Sequence, residues 1–93
     1  MENKPELHID KSGTKKWLLP DGRFHREGKP AIIYENGDES WYYNGNIHRE
    51  DGPAITWNDV DHKSWFLDGV QYTEKGYKKE MRVRKIKRIK EII

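Results

Sequence analysis

The sequence predicts a mainly β protein: an antiparallel meander of about two and a half hairpin repeats of 23–24 residues, followed by one C-terminal α-helix. Trp17, Trp41 and Trp65 recur every 24 residues, and each opens a short apolar run that ends in a glycine turn. The pattern G-x-x-H-R-E-x(0–1)-G-x(0–1)-P-A occurs twice, at 22–31 and 45–54. Residues 77–93 then lack Gly and Pro and are rich in Lys, Arg, Glu and Met, all good helix formers.

In chain order, residues 1–6 read as an N-terminal tail, 7–72 as the repeat sheet and 73–93 as a basic helix. Leu7 to Trp17 spans ten positions, as does Ala31 to Trp41, with Ser12-Gly13 falling where Asn36-Gly37 falls. Ala54 to Trp65 takes eleven, so Asn58-Asp59-Val60-Asp61 is the same turn with one residue inserted. Asn36-Gly37, Asn44-Gly45, Asp21-Gly22 and Asp68-Gly69 are pairs that tolerate the positive φ angles of tight hairpin turns. Ile32-Ile33-Tyr34 and Ser40-Trp41-Tyr42-Tyr43 flank one such turn, and Ile55-Thr56-Trp57 and Ser64-Trp65-Phe66-Leu67 the next. Alternation places Trp41 and Tyr43 on one face and Tyr42 on the other. Connections this short exclude parallel crossovers. Pro30 and Pro53 open strands, where a missing N–H costs least. The last unit decays, with Tyr72 and Thr73 where His and Arg would stand.

A single layer must cover its apolar face. The aromatic row of Trp17, Trp41 and Trp65 is expected to meet either the C-terminal segment or a second copy of the chain. Thr73 is the expected N-cap, with Glu74 in the first turn and Gly76 as a weak point. Tyr77 and Met81 are spaced i, i+4, while Val83, Ile86, Ile89 and Ile93 form a second apolar set, one residue out of step with the first.

Ninety-three residues make one small domain, which buries only about 60–65% of its unfolded surface. With 33% hydrophobic and 37% charged residues, the core is expected to be thin. The absence of cysteine excludes a disulfide framework and a thiolate metal site. No apolar run reaches the length of a membrane span or signal core, which points to a cytoplasmic protein. The net charge of +2 conceals a division. Residues 1–72 carry nine Lys/Arg against thirteen Asp/Glu, a net −4, and residues 73–93 carry nine against three, a net +6. Such a tail suits an acidic partner or its own acidic body.

His25-Arg26-Glu27 and His48-Arg49-Glu50 have the residue types of proton transfer. A trio repeated at equivalent positions is nevertheless better read as structural, since catalysis needs different groups in different roles. The His or Glu is expected to hydrogen-bond turn backbone and the Arg to pair with an acid. Two His and two Glu could hold zinc, but no Cys/His or HExxH spacing supports a metal, and no cofactor is expected. The chain is read as a non-enzyme.

Lys78, Lys79, Arg82, Arg84, Lys85, Lys87, Arg88 and Lys90 place eight positive charges in thirteen residues. The plainest reading is a solvated face on a helix whose apolar stripe packs on the sheet. Nucleic acid, an acidic protein and an anionic membrane are the functional alternatives, in that order. Tryptophan and tyrosine, nine together, are the types that dominate protein-binding hot spots.

The runs W-Y-Y-N-G-N-I-H-R-E-D-G-P-A (41–54) and D-G-R-F-H-R-E-G-K-P-A (21–31) resemble the variant MORN-type (membrane occupation and recognition nexus) repeat of small bacteriophage and large-virus proteins. The resemblance covers residues 7–72, departs at Tyr72-Thr73 and leaves the basic end outside it. It implies successive β-hairpins in an elongated twisted sheet, and interaction rather than catalysis.

The resulting expectation is a small phage accessory protein that docks on a host or viral protein and inhibits or modulates it. The expected contact surface is Trp41, Tyr43 and Trp57 with Arg82, Arg84, Lys85 and Arg88. The alternative is a nucleic-acid-binding accessory protein acting through its basic helix. A homodimer with facing aromatic rows is a third reading.

Overall fold

The computed structural model describes residues 4–58 and 60–92, and of 91–92 the backbone alone. The first three residues of the expected tail, Asp59 of the inserted turn and Ile93 of the apolar set lie outside the described residues. Among the described residues nine short strands precede one helix. They are β1 (Glu6–Ile9), β2 (Lys15–Leu18), β3 (Ile32–Ile33), β4 (Glu39–Ser40), β5 (Tyr42–Tyr43), β6 (Asn46–Ile47), β7 (Ile55–Thr56), β8 (Lys63–Leu67) and β9 (Val70–Tyr72). The helix, α1, spans Glu74–Ile92. Every strand pairing is antiparallel. Seven strands run in the order β1-β2-β3-β4-β7-β8-β9, and β5 and β6 form a separate hairpin.

That division corrects the expectation of one continuous strand from Ser40 to Tyr43. The chain changes neighbours at Trp41, whose N–H donates to Ala54 O (2.8 Å) while its carbonyl accepts from the His48 N–H (3.0 Å). Upstream, Ser40 pairs with Ile55 of the following unit; downstream, Tyr42 pairs with Ile47 of its own. The same two bonds occur at Trp17, to Ala31 O (2.8 Å) and from the His25 N–H (3.0 Å). Each of these tryptophans therefore sits where one hairpin hands over to the next.

Two turn chemistries occur. Asn44-Gly45 and Asp68-Gly69 have positive φ at both residues (51° and 87°, 52° and 81°), the geometry of a two-residue type I′ hairpin. At Asn36-Gly37 only Gly37 is left-handed (φ 96°), and its N–H donates to Tyr34 O (2.9 Å). Asp21-Gly22 likewise has only Gly22 left-handed. These two pairs make wider turns than the tight hairpin their sequence suggests.

The core is thin, as the composition requires: Leu19, Ala31, Ile32, Ala54, Leu67 and Tyr77 are its buried apolar residues. Ala31 and Ala54 are wholly buried. Their N–H groups donate to Ser40 O (2.9 Å) and Ser64 O (2.8 Å), so a larger side chain there would force hydrogen-bonded strands apart. The Cα trace measures 48 × 40 × 17 Å, the thickness of a single sheet with a helix at one end.

Thr73 caps α1 as expected. Its Oγ1 accepts the Gly76 N–H (3.0 Å), satisfying one of the orphan donors of the first turn. The helix packs on β8 and β9. Among the described residues no helix is long and apolar enough to cross a membrane.

Candidate docking surfaces

The two His-Arg-Glu trios carry structural duties. The left-handed Asn44 and Asp68 turn their N–H groups back toward the preceding unit, where His25 Nδ1 and His48 Nδ1 accept them at 2.9 Å. An imidazole that accepts at Nδ1 holds its proton at Nε2 in the neutral form. His48 Nε2 then donates to Glu50 Oε2 (3.2 Å), and His25 Nε2 lies 3.8 Å from Glu27 Oε2. The nitrogen lone pair that a general base needs is occupied by backbone in both copies.

The arginines act mainly through their flat faces. Arg26 Cζ lies 3.6 Å from the Trp17 ring centroid and Arg49 Cζ 3.7 Å from that of Trp41, both stacked cation–π contacts. Each also donates Nη1 to the carbonyl of the proline two residues before the next strand, Pro30 (3.2 Å) or Pro53 (3.1 Å). Arg49 pairs with Asp51 (2.8 Å), as expected of an Arg here. For Arg26 the expected acid is replaced by the Trp17 face.

In the third unit, Thr73 cannot stack. Tyr77 of α1 takes that place, its ring centroid 4.9 Å from that of Trp65. Its hydroxyl donates to Arg49 O and accepts the Gly52 N–H (3.3 Å). The aromatic row is therefore covered residue by residue, by two arginines and one tyrosine. Through Tyr77 the helix covers the last tryptophan of the row.

The expected contact surface divides. Trp41 and Tyr43 line a shallow hollow of about 640 Å³ with Arg26, His48, Arg49 and Asp68. Trp41 is half-buried beneath Arg49, while Tyr43 is exposed and packs edge-on against His25 at 4.7 Å. Trp57 lies elsewhere, in a hollow of about 290 Å³ with Tyr34, Asp38, Ser40, Tyr42 and Ile55. Register is the reason. Ser40 pairs with Ile55, so Trp57, two residues beyond Ile55, projects with Ser40 and Tyr42, opposite to Trp41.

The four basic residues divide too. Arg84 binds Glu80 (2.9 Å) and Asp68 (3.3 Å), and Arg88 binds Glu50 (2.9 Å), so both hold α1 against the repeats. Burial alone would raise the Glu50 carboxyl, but hydrogen bonds from Arg88 and His48 outweigh it and hold Glu50 below its ordinary value. Arg82 and Lys85 are exposed and meet no carboxylate among the described residues. The aliphatic set behaves opposite to expectation: Val83, Ile86 and Ile89 are 38%, 53% and 55% exposed. Ile86 follows Tyr77 by nine residues, about 180° around the helix, so anchoring Tyr77 on Trp65 turns the aliphatic residues outward.

Sequence reasoning missed Tyr34, Tyr42 and Tyr77. For Tyr77 a signal existed, since the third unit lacks the Arg that covers its tryptophan. Among the described residues no group of three or more His, Asp or Glu is placed to hold a metal ion. No protein-family model, no curated protein and no solved structure matches the chain.

Proposed function

We propose that this is a non-enzymatic docking protein that binds a partner protein through the sheet face bearing Tyr34, Tyr42 and Trp57. The observation that carries this reading is the pairing of a single-layer body, 17 Å thick, with an aromatic hollow on the side away from α1. Tyr34 is 42% exposed, Tyr42 and Trp57 are half-buried, and Trp57 is steadied by His62 at 4.9 Å. Rigid aromatics at the rim of a hollow supply contact area with little loss of side-chain freedom, which is why such residues dominate binding energy. Asp38 at the rim accepts the Asn58 N–H (2.8 Å), which fixes the hollow's outline.

The resemblance of 41–54 to phage and large-virus MORN-type repeats supports a small phage accessory protein acting in the host cytoplasm. A body of this size acts on a partner chiefly by occupying its surface, so inhibition is the expected effect. The test is affinity capture from a nuclease-treated bacterial lysate, with Trp57→Asp as the paired variant. One protein retained near stoichiometry by the wild type and lost by the variant supports the reading. Equal retention by both removes this face from it. A dimeric mass for the purified chain, abolished by the same variant, would assign the face to a second copy instead.

A further inference from the structure

We infer that the outward face of α1 is a second, independent site that binds duplex nucleic acid. Tyr77 stacks on Trp65, Arg84 reaches Asp68 and Arg88 reaches Glu50, so one side of the helix is committed to the repeats. The other side carries Lys75, Lys79, Arg82 and Lys90, with Lys85 and Lys87 at its edges, all exposed. The carboxylates of residues 74–90 are placed away from this array: Glu80 pairs with Arg84 and Glu74 with Lys78. The acidic repeats thus neutralise only the cations on the inner side. The outer cations keep their full charge toward solvent.

Lys75 to Lys90 spans about 22 Å of helix, alongside which a duplex presents about 13 phosphates. Lys79 and Arg82 lie on either side of Ile86, and Val83 and Ile89 flank that group. A major groove matches this alternation, with phosphates along both walls and thymine methyl groups on its floor. A bilayer matches it poorly, since no aliphatic sector wide enough to enter the acyl region is free of charge. Arg84 and Arg88 are positioning residues in this arrangement, and they set which side of α1 faces out.

The test is fluorescence anisotropy of a labelled 24-base-pair mixed-sequence DNA with the full chain. Four to five phosphate contacts predict a log–log salt slope of about −3.6 to −4.5, a loss of about 150- to 500-fold in affinity between 50 and 200 mM salt. Lys79→Gln with Arg82→Gln should reduce the slope by about 2 and leave the helix content unchanged by circular dichroism. Lys29→Gln, on the repeats, should change neither. Trp57→Asp should leave duplex binding intact, which keeps this site separate from the protein-docking face. Absent or salt-insensitive binding overturns the inference, as does binding that the paired substitution leaves unaltered. Displacement of the duplex by polyglutamate at equal charge concentration would assign the face to an acidic polypeptide. Binding to phosphatidylserine-containing vesicles without duplex binding would assign it to a membrane. Either result overturns the inference.

Discussion

Removing the Tyr77 hydroxyl and then its ring separates the two ways in which α1 closes the stack. The ring is nearly fully buried (4% exposed) and packs on Trp65. The hydroxyl joins α1 to the second unit at Arg49 O and at the Gly52 N–H. Tyr77→Phe keeps the ring and leaves one carbonyl and one N–H unpartnered in a partly buried setting, a cost of about 1–2 kcal/mol. Tyr77→Ala also removes the aromatic contact and leaves a cavity, raising the cost to about 3–5 kcal/mol. A domain of this size loses about 4–8 °C of Tm per kcal/mol. Tyr77→Phe should therefore melt about 4–16 °C lower, and Tyr77→Ala, left with about 0–2 kcal/mol if total stability is near 5 kcal/mol, should be from a few per cent to about half unfolded at 25 °C. Urea unfolding followed by tryptophan fluorescence and by the helix signal at 222 nm measures both. A Tyr77→Ala variant less than about 1 kcal/mol below wild type would refute the view that α1 is an integral cap.

Three further outcomes follow from the repeat geometry. Arg49→Lys loses the flat stack on Trp41 and the fixed fork that reaches Pro53 O and Asp51, and should cost about 1–2 kcal/mol in urea unfolding. Gly37→Ala places a Cβ at a φ of 96° and 2.9 Å from Asn58 Cγ, so it should destabilise by more than about 1 kcal/mol, whereas Gly22→Ala, with open space around it, bears the backbone strain alone. The Asp10 carboxylate accepts the Ser12 hydroxyl (2.6 Å) and the Thr14 and Ser12 N–H groups, which lowers its pKa from 3.8 to about 2. Because the folded value is the lower one, the stabilisation is complete above pH 3.8 and is lost as pH falls through about 2. A carboxyl NMR titration should find that low midpoint, and Ser12→Ala should move it up toward 3.8.

The antiparallel hairpins and the helix start were legible because they rest on local chemistry, whereas the departure of β5 and β6 from the main sheet was not. The tryptophan period and the Asn-Gly and Asp-Gly pairs locate the hairpins, and Thr73 followed by Glu74 marks the first turn of α1. What was not legible depends on partners distant in sequence. Alternation within 40–43 correctly separates Trp41 from Tyr42, but the side occupied by Trp57 is set by the Ser40–Ile55 pairing, and a shift of one residue would reverse it. The cover of the tryptophans comes from Arg26, Arg49 and Tyr77, eight to twelve residues away, and no short motif announces a cation–π contact. The aliphatic spacing of α1 was readable, yet the face that turns inward is decided by Tyr77 and by the ion pairs of Arg84 and Arg88.

The central claim, that the working protein-binding face is the one bearing Tyr34, Tyr42 and Trp57, is tested most directly by hydrogen–deuterium exchange on the captured complex against the free chain. The account predicts new protection at residues 32–40 and 55–58, with residues 43–52 around the hollow of Trp41 and Tyr43 unchanged. Protection confined to 41–52 or to α1, with 32–34 and 55–58 exchanging as in the free chain, would contradict it.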